Sequence, residues 1–103
     1  MVKIVSFWKL REGVDPQDAE KQYFEVHVPM ATRIPGLRKY TIAKARGRNP
    51  AFYRLAELYF EDMDAVKKGL SSPEGVATLG DEGFRSLITD MTSVFCDEEE
   101  VKL

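Results

Sequence analysis

His27 is the only histidine of the chain, and it lies on the apolar side of a predicted helix. Ala19, Tyr23, Val26, His27, Met30, Ala31 and Ile34 recur at spacings of three and four, so they share one helical face. An imidazole ionises near neutral pH, so at a cavity it can act as general base toward an acidic phenol or an enolisable carbon. It can equally supply the one directional hydrogen bond of an apolar ligand pocket. The competing reading is structural, a core ring whose nitrogens are satisfied by a neighbouring carbonyl. Pro29 offers such a carbonyl, because it denies the helix an N–H and its ring crowds the carbonyl of Glu25. A kink is expected there. Pro35 then pushes Ile34 out of helical geometry, and Gly36 closes the helix.

Tyr23 stands one turn before His27 on the same face, placed to bond a ligand, to hold the imidazole tautomer, or simply to fill the core with its hydroxyl at the rim. Trp8 and Tyr40 are aromatic strand residues that fit either the wall of a flat cavity or ordinary packing. Stronger motifs are absent. There is no phosphate-binding glycine loop, no Cys/His pair of metal-ligand spacing and no Ser/His/Asp order. No metal and no cofactor are expected. His27 is the one candidate axial ligand for a haem, and a lone histidine is a weak basis for one.

These residues need elements to hold them. Val2–Leu10 reads as a strand. Asp15-Pro16 starts a helix that runs to about Ile34, a capping carboxylate ahead of a residue pre-set for the first turn. Leu37–Arg46 and Ala51–Phe60 read as a hairpin around Gly47-Arg48-Asn49-Pro50. Asp62 caps a short helix with the stripe Met63, Val66 and Leu70. Ser71 or Ser72 with Pro73 opens another helical stretch carrying Val76, Phe84, Leu87 and Ile88, which Gly80 and Gly83 weaken. Met91–Cys96 is the final strand. The order β-α-β-β-α-β predicts an α+β, ferredoxin-like fold, a four-stranded antiparallel sheet with its helices on one face.

Both faces of that sheet are apolar in sequence. The third strand places Phe52, Ala56, Leu58 and Phe60 on one parity, and Tyr53, Leu55 and Tyr59, with Glu57 among them, on the other. The first strand has Val2, Ile4, Trp8 and Leu10 against Val5 and Phe7. A half-exposed antiparallel strand should alternate apolar with polar. Helices cover one face, so a homodimer with facing sheets is expected to cover the other. On the second strand, Lys39, Thr41, Ala43 and Ala45 form a face of small residues that either admits a helix or leaves a void.

The run Tyr23–Gly36 also resembles the signature of the EthD family: an aromatic residue one turn before the histidine, then His-x-Pro, then Pro-Gly. Here these are Tyr23, His27, Pro29, Pro35 and Gly36, with Tyr23 standing where many members have Trp. A weaker echo lies at Pro73, Glu74 and Gly75, followed by Asp81 and Phe84. The resemblance spans nearly the whole chain in element order. It implies a dimeric α/β barrel and oxidative small-molecule chemistry, and it adds Asp81 and Phe84 to the candidate ligand-binding residues. Asp81 is then a second polar group at the pocket mouth or an exposed carboxylate at a helix end.

At 103 residues the chain is one domain, residues 1–96, with an acidic tail at 97–103. Hydrophobic content of 44% beside 31% charged residues is that of a soluble globular protein. No signal-peptide core or membrane-length apolar run is visible, and the single cysteine, Cys96, excludes an internal disulfide. A cytoplasmic location is expected. Seven basic residues and no acidic one lie between Arg33 and Arg54, either as a solvated surface or as a rim attracting an anionic ligand. A sequence pI near 5.4 argues against a nucleic-acid partner. The expected function is enzymatic: His27 catalyses oxidative or proton-transfer chemistry on a small aromatic or polyketide-like molecule, beside Tyr23, Trp8, Tyr40, Asp81 and Phe84. The alternatives are a non-catalytic small-ligand binding protein and an accessory subunit of an oxygenase system. Which sheet face carries the pocket is left open.

Overall fold

β1 (Val2–Leu10) buries Val2, Ile4, Ser6 and Trp8 and leaves Lys3, Val5 and Phe7 half-buried and Lys9 exposed, the period of two that a strand imposes. It is one of the two inner strands of a sheet ordered β2-β3-β1-β4, with β2 at Lys39–Lys44, β3 at Arg54–Phe60 and β4 at Ile88–Asp97. Every pairing is antiparallel. The computed structural model describes residues 1–103 and has the predicted ferredoxin-like order.

The helical layer covers the even-numbered face of β1 and β3. Val2, Ile4 and Phe60 meet Ala31, Ile34 and Val66 in one core cluster. Trp8 and Ala56 meet Tyr23, Phe84 and Ile88 in a second. Tyr40 and Leu58 border both. The caps form as their residue types demand. Asp15 accepts from Gln17 N–H ahead of α1 (Pro16–Gln22), and Asp62 accepts from Ala65 N–H ahead of α3 (Met63–Ser71). Ser72 does the same for α4 (Pro73–Leu79), with Pro73 at its first position. Gly80 ends α4, and a one-turn helix, α5 (Glu82–Arg85), follows.

Several boundaries differ from the sequence reading. The hairpin strands stop short because Gly47 and Asn49 take positive φ (97° and 48°) and Pro50 has no N–H to give the ladder. β4 begins at Ile88, a residue read from sequence as helical. It also carries a bulge: Phe7 faces Thr92 while Lys9 faces Thr89, and Asp90 has φ 52°. One extra residue reverses the parity of the strand. Ile88 on one side of the bulge and Met91, Ser93 and Phe95 on the other therefore all reach the helix-covered side. The small residues Thr41 and Ala43 lie on the opposite, helix-free face, where Thr41 donates to Glu57, so no helix approaches them.

Candidate functional site

The long N-terminal helix is not regular where the histidine sits. α1 passes into a π-helical turn at Tyr23–His27, in which Val28 N–H reaches the Tyr23 carbonyl, and then into α2 (Val28–Ala31). The irregularity expected from Pro29 thus takes the form of a widened turn. An α-helical course would drive the proline ring against the Glu25 carbonyl, and one extra residue in the turn relieves that crowding. The wider turn stacks His27 on Tyr23, with ring centres 5.5 Å apart and planes 20° from parallel. It also turns Val26, expected on the same apolar face, out to solvent.

His27 is held by the start of α5 rather than by a freed carbonyl. Its Nδ1–H donates to Asp81 Oδ2 at 3.0 Å, while Asp81 Oδ1 caps α5 by accepting from Phe84 N–H at 3.4 Å. The Asp81 side chain is only 8% exposed, so the exposed-carboxylate reading is corrected. An ionised carboxylate accepts and does not donate, which assigns the proton to Nδ1 and leaves Nε2 as the basic nitrogen. Nε2 has no protein partner and is not sealed from solvent. Burial lowers the pKa of His27 below its ordinary 6.5, and Arg85 adds to this, against an opposing pull from Asp81. The ring is therefore neutral at pH 7.

Phe84 packs 4.3 Å from the imidazole, and Trp8 meets Phe84 edge-on at 5.2 Å. Behind them the Tyr23 and Tyr40 hydroxyls lie 2.7 Å apart. Burial raises the pKa of both phenols, so both stay protonated. These groups surround a cavity of about 230 Å³ between the helices and the sheet. Trp8, Tyr23, His27, Tyr40 and Phe84, all anticipated from sequence, line it. Asp81 does not; it stands behind His27 as a positioning group.

Sequence reasoning missed Ser6, Ser93, Thr78 and Arg85 at the cavity. Ser6 and Ser93 share a hydrogen bond of 2.8 Å between neighbouring strands. Ser6 shares a parity with Ile4 and Trp8, so the period of two could have found it, whereas the bulge hid Ser93. Arg85 is the one cationic side chain of the lining, and its Nε donates to the Leu79 carbonyl at 2.6 Å. The basic run from Arg33 to Arg54 contributes nothing to this cavity. Arg54 pairs with Glu20, Arg38 with Glu61, and Lys39 and Lys44 lie over the rings of Tyr59 and Tyr53. No three His, Cys, Asp or Glu side chains come together as a metal-ligand set, and no helix is long and apolar enough to cross a membrane.

Fold and site define a ferredoxin-like α+β protein with a histidine-bearing cavity under its helices. The chain belongs to the EthD family, whose domain matches residues 11–85. It is 34% identical over 91 residues to an uncharacterized 11.0 kDa protein of Rhodococcus erythropolis from the thcB–thcC intergenic region, covering 84% of this chain and 86% of that one. Among solved structures it is similar to an ethyl tert-butyl ether d (EthD) family protein of Bacillus halodurans (TM-score 0.81, 27% identity, 96% of this chain and 99% of that one). It shares its fold with SnoaB, a cofactor-independent oxygenase from Streptomyces nogalater (TM-score 0.71, 19% identity, 97% and 94% covered). The fold recurs in a dimeric ferredoxin-like protein of Bacteroides fragilis (TM-score 0.72, 19% identity, 94% and 95% covered).

Proposed function

We propose that the protein is a small-molecule enzyme in which His27 Nε2 removes a proton from an organic substrate held in the apolar cavity. The observation that carries this reading is the His27–Asp81 pair. A buried carboxylate fixes Nδ1 as the donor, so the His27 ring that lines the cavity keeps a neutral, unpartnered Nε2 at pH 7. Asp81 also stabilises the imidazolium that forms when the proton is taken, which makes Nε2 a stronger base than burial alone would allow. The cavity is smaller than the ~300–1,000 Å³ of sites for drug-sized ligands, so a substrate of single-ring size fits best. The aromatic walls formed by Trp8, Phe84, Tyr23 and Tyr40 favour a flat one. Shared fold with a cofactor-independent oxygenase supports chemistry performed by the chain's own groups. The half-buried, unpaired Cys96 suits a reducing, cytoplasmic setting.

The same reading has two copies pairing through the helix-free sheet face. Val94 lies exposed there and Val5, Phe7 and Leu55 half-buried, around the Lys3–Glu57–Glu98 network. The dimeric Bacteroides relative of the same fold supports it, and a native mass spectrum at the mass of one chain would contradict it.

Trp8 is the only tryptophan and lines the cavity, so its fluorescence reports binding there. A panel of single-ring phenols and ketones is titrated against the wild type and His27→Gln. The enzyme reading expects turnover to vanish while quenching of Trp8 persists. Equal turnover in both proteins would refute it. Loss of affinity without any turnover in the wild type would mark the protein as a binder.

A further inference from the structure

Tyr23 and Tyr40 come from different elements, the π turn and β2, yet both line the cavity with their hydroxyls in contact. Each phenol brings one proton, and the bond between the oxygens uses one of the two. No protein group accepts the other. A buried O–H without an acceptor is a cost that a ligand oxygen removes.

We propose that this uncommitted O–H is the donor that holds the substrate oxygen on which charge collects when His27 takes its proton. The substrate is then an enolisable carbonyl compound or a phenol, entering with its oxygen toward the tyrosine pair and its carbon frame against the apolar walls. The inference rests on the base role given to His27. The step balances without an oxidant. A C–H or O–H bond breaks, its proton goes to Nε2, and its electron pair becomes the enolate or phenolate charge.

The O–H bonds of Tyr23 and Tyr40 stay intact, because burial keeps both tyrosines protonated and makes them donors rather than proton sources. A hydrogen bond to a charged oxygen is about twice as strong as one to a neutral oxygen, so the pair favours the state after proton transfer over the state before it. The second tyrosine strengthens the first by donating to it.

The arrangement makes an unusual mutational signature. Removing one hydroxyl leaves the other with its own free proton, so a donor survives and only the relay is lost. Removing both eliminates the donor. A purely structural pair behaves in the opposite way. There the first removal breaks the bond and strands a buried hydroxyl, so it costs as much as removing both.

The probe is 4-nitrophenol, whose ionisation is read from its visible absorbance when bound. On the wild type, the ionisation constant of the bound probe is expected to rise about ten- to hundredfold over its value on the double variant Tyr23→Phe/Tyr40→Phe. Each single variant keeps the ring packing and is expected to lose about threefold or less. A double variant that ionises the probe as the wild type does would overturn the proposal. So would a wild type that does not bind the probe. If the double variant fails to fold, a single variant that loses the whole effect is enough to overturn the donor count. Repeating the titration on His27→Gln separates the two claims. An effect retained there shows that the pair acts on the oxygen by itself, and an effect lost there while the double variant keeps it refutes the pair. Undiminished turnover by His27→Gln refutes the base alone.

Discussion

Replacing Asp81 with asparagine tests how the site makes a base. Asp81 serves two donors with two oxygens, His27 Nδ1–H at 3.0 Å and Phe84 N–H at 3.4 Å. Asparagine has only one oxygen. If it caps α5, its NH2 group meets Nδ1 and forces the imidazole proton onto Nε2, which abolishes the base. If it accepts from Nδ1–H, the charge that supports the imidazolium is gone and the cap is lost. A hydrogen bond to a charged group is worth ~1.5–3 kcal/mol against ~0.5–1.5 for a neutral one, so about 1.5 kcal/mol disappears from the imidazolium state. That is about one pKa unit, and about tenfold in a rate limited by proton removal. Both side chains are mostly buried, so solvent screens little of this. Asparagine caps helices about as well as aspartate, so stability should hardly fall if the cap is kept, and should fall by about 0.5–2 kcal/mol if it is lost. The assay is nitrogen-detected NMR of the single histidine, which gives tautomer and titration without assignment ambiguity. The wild type should show Nδ1–H with an ionisation below pH 6.5, and Asp81→Asn should titrate lower still or switch tautomer. An unchanged tautomer and pKa would refute the coupling.

The activity of the wild type should rise with pH through an ionisation below 6.5 and stay level above it, because only the neutral ring is a base; a rise centred above 6.5 would contradict this. For stability the sign is fixed too. With its folded pKa lowered, His27 binds fewer protons folded than unfolded below 6.5, so its contribution is lost as pH falls from there toward the folded pKa, measurable by urea denaturation. Gly75→Ala should cost about 2 kcal/mol or more, since a Cβ there would stand 2.2 Å from the Gly69 carbonyl and 2.7 Å from Leu70 Cα, both backbone; a urea midpoint within error of the wild type would contradict it. Glu20→Gln should cost about 1 kcal/mol by weakening the bond to Arg54. That bond holds the Glu20 carboxyl below its ordinary 4.5, so this stability is present above pH 4.5 and fades as pH falls through the lowered value.

The motif that stands out in the sequence divides into two physical tasks. His27, Asp81 and Phe84 build the site. Pro35, Gly36, Pro73 and Gly75 let the helices approach. Gly36 takes φ 85° at the turn, the Pro35 carbonyl would stand 2.7 Å from a Cβ on Gly69, and Gly75 presses α4 onto the end of α3. The fold was legible because its strands follow a period of two and its helices open on Asp15-Pro16, Asp62 and Ser72-Pro73, local signals that tertiary packing left in place. The cavity walls were partly legible for the same reason, since helical spacing joined Tyr23 to His27. Asp81 was reached only through the family resemblance, and its bond to His27 was hidden because a pairing across 54 residues leaves no periodic trace. Ser93 was hidden by the bulge at Asp90, and Arg85 by its place in a one-turn helix too short to show a face. Of the two readings of the basic run the solvated surface holds: charge composition carries no direction, and none of these side chains lines the cavity, while Arg38 and Arg54 pair with Glu61 and Glu20 away from it.

The most direct test of the base at Nε2 is solvent deuterium exchange into acetophenone, a flat, single-ring enolisable ketone, followed by proton NMR. The wild type is predicted to accelerate loss of the α-proton signal, and His27→Gln to return it to the buffer rate. Exchange at the same rate with the wild type, with His27→Gln and with buffer alone would contradict a catalytic base in this cavity.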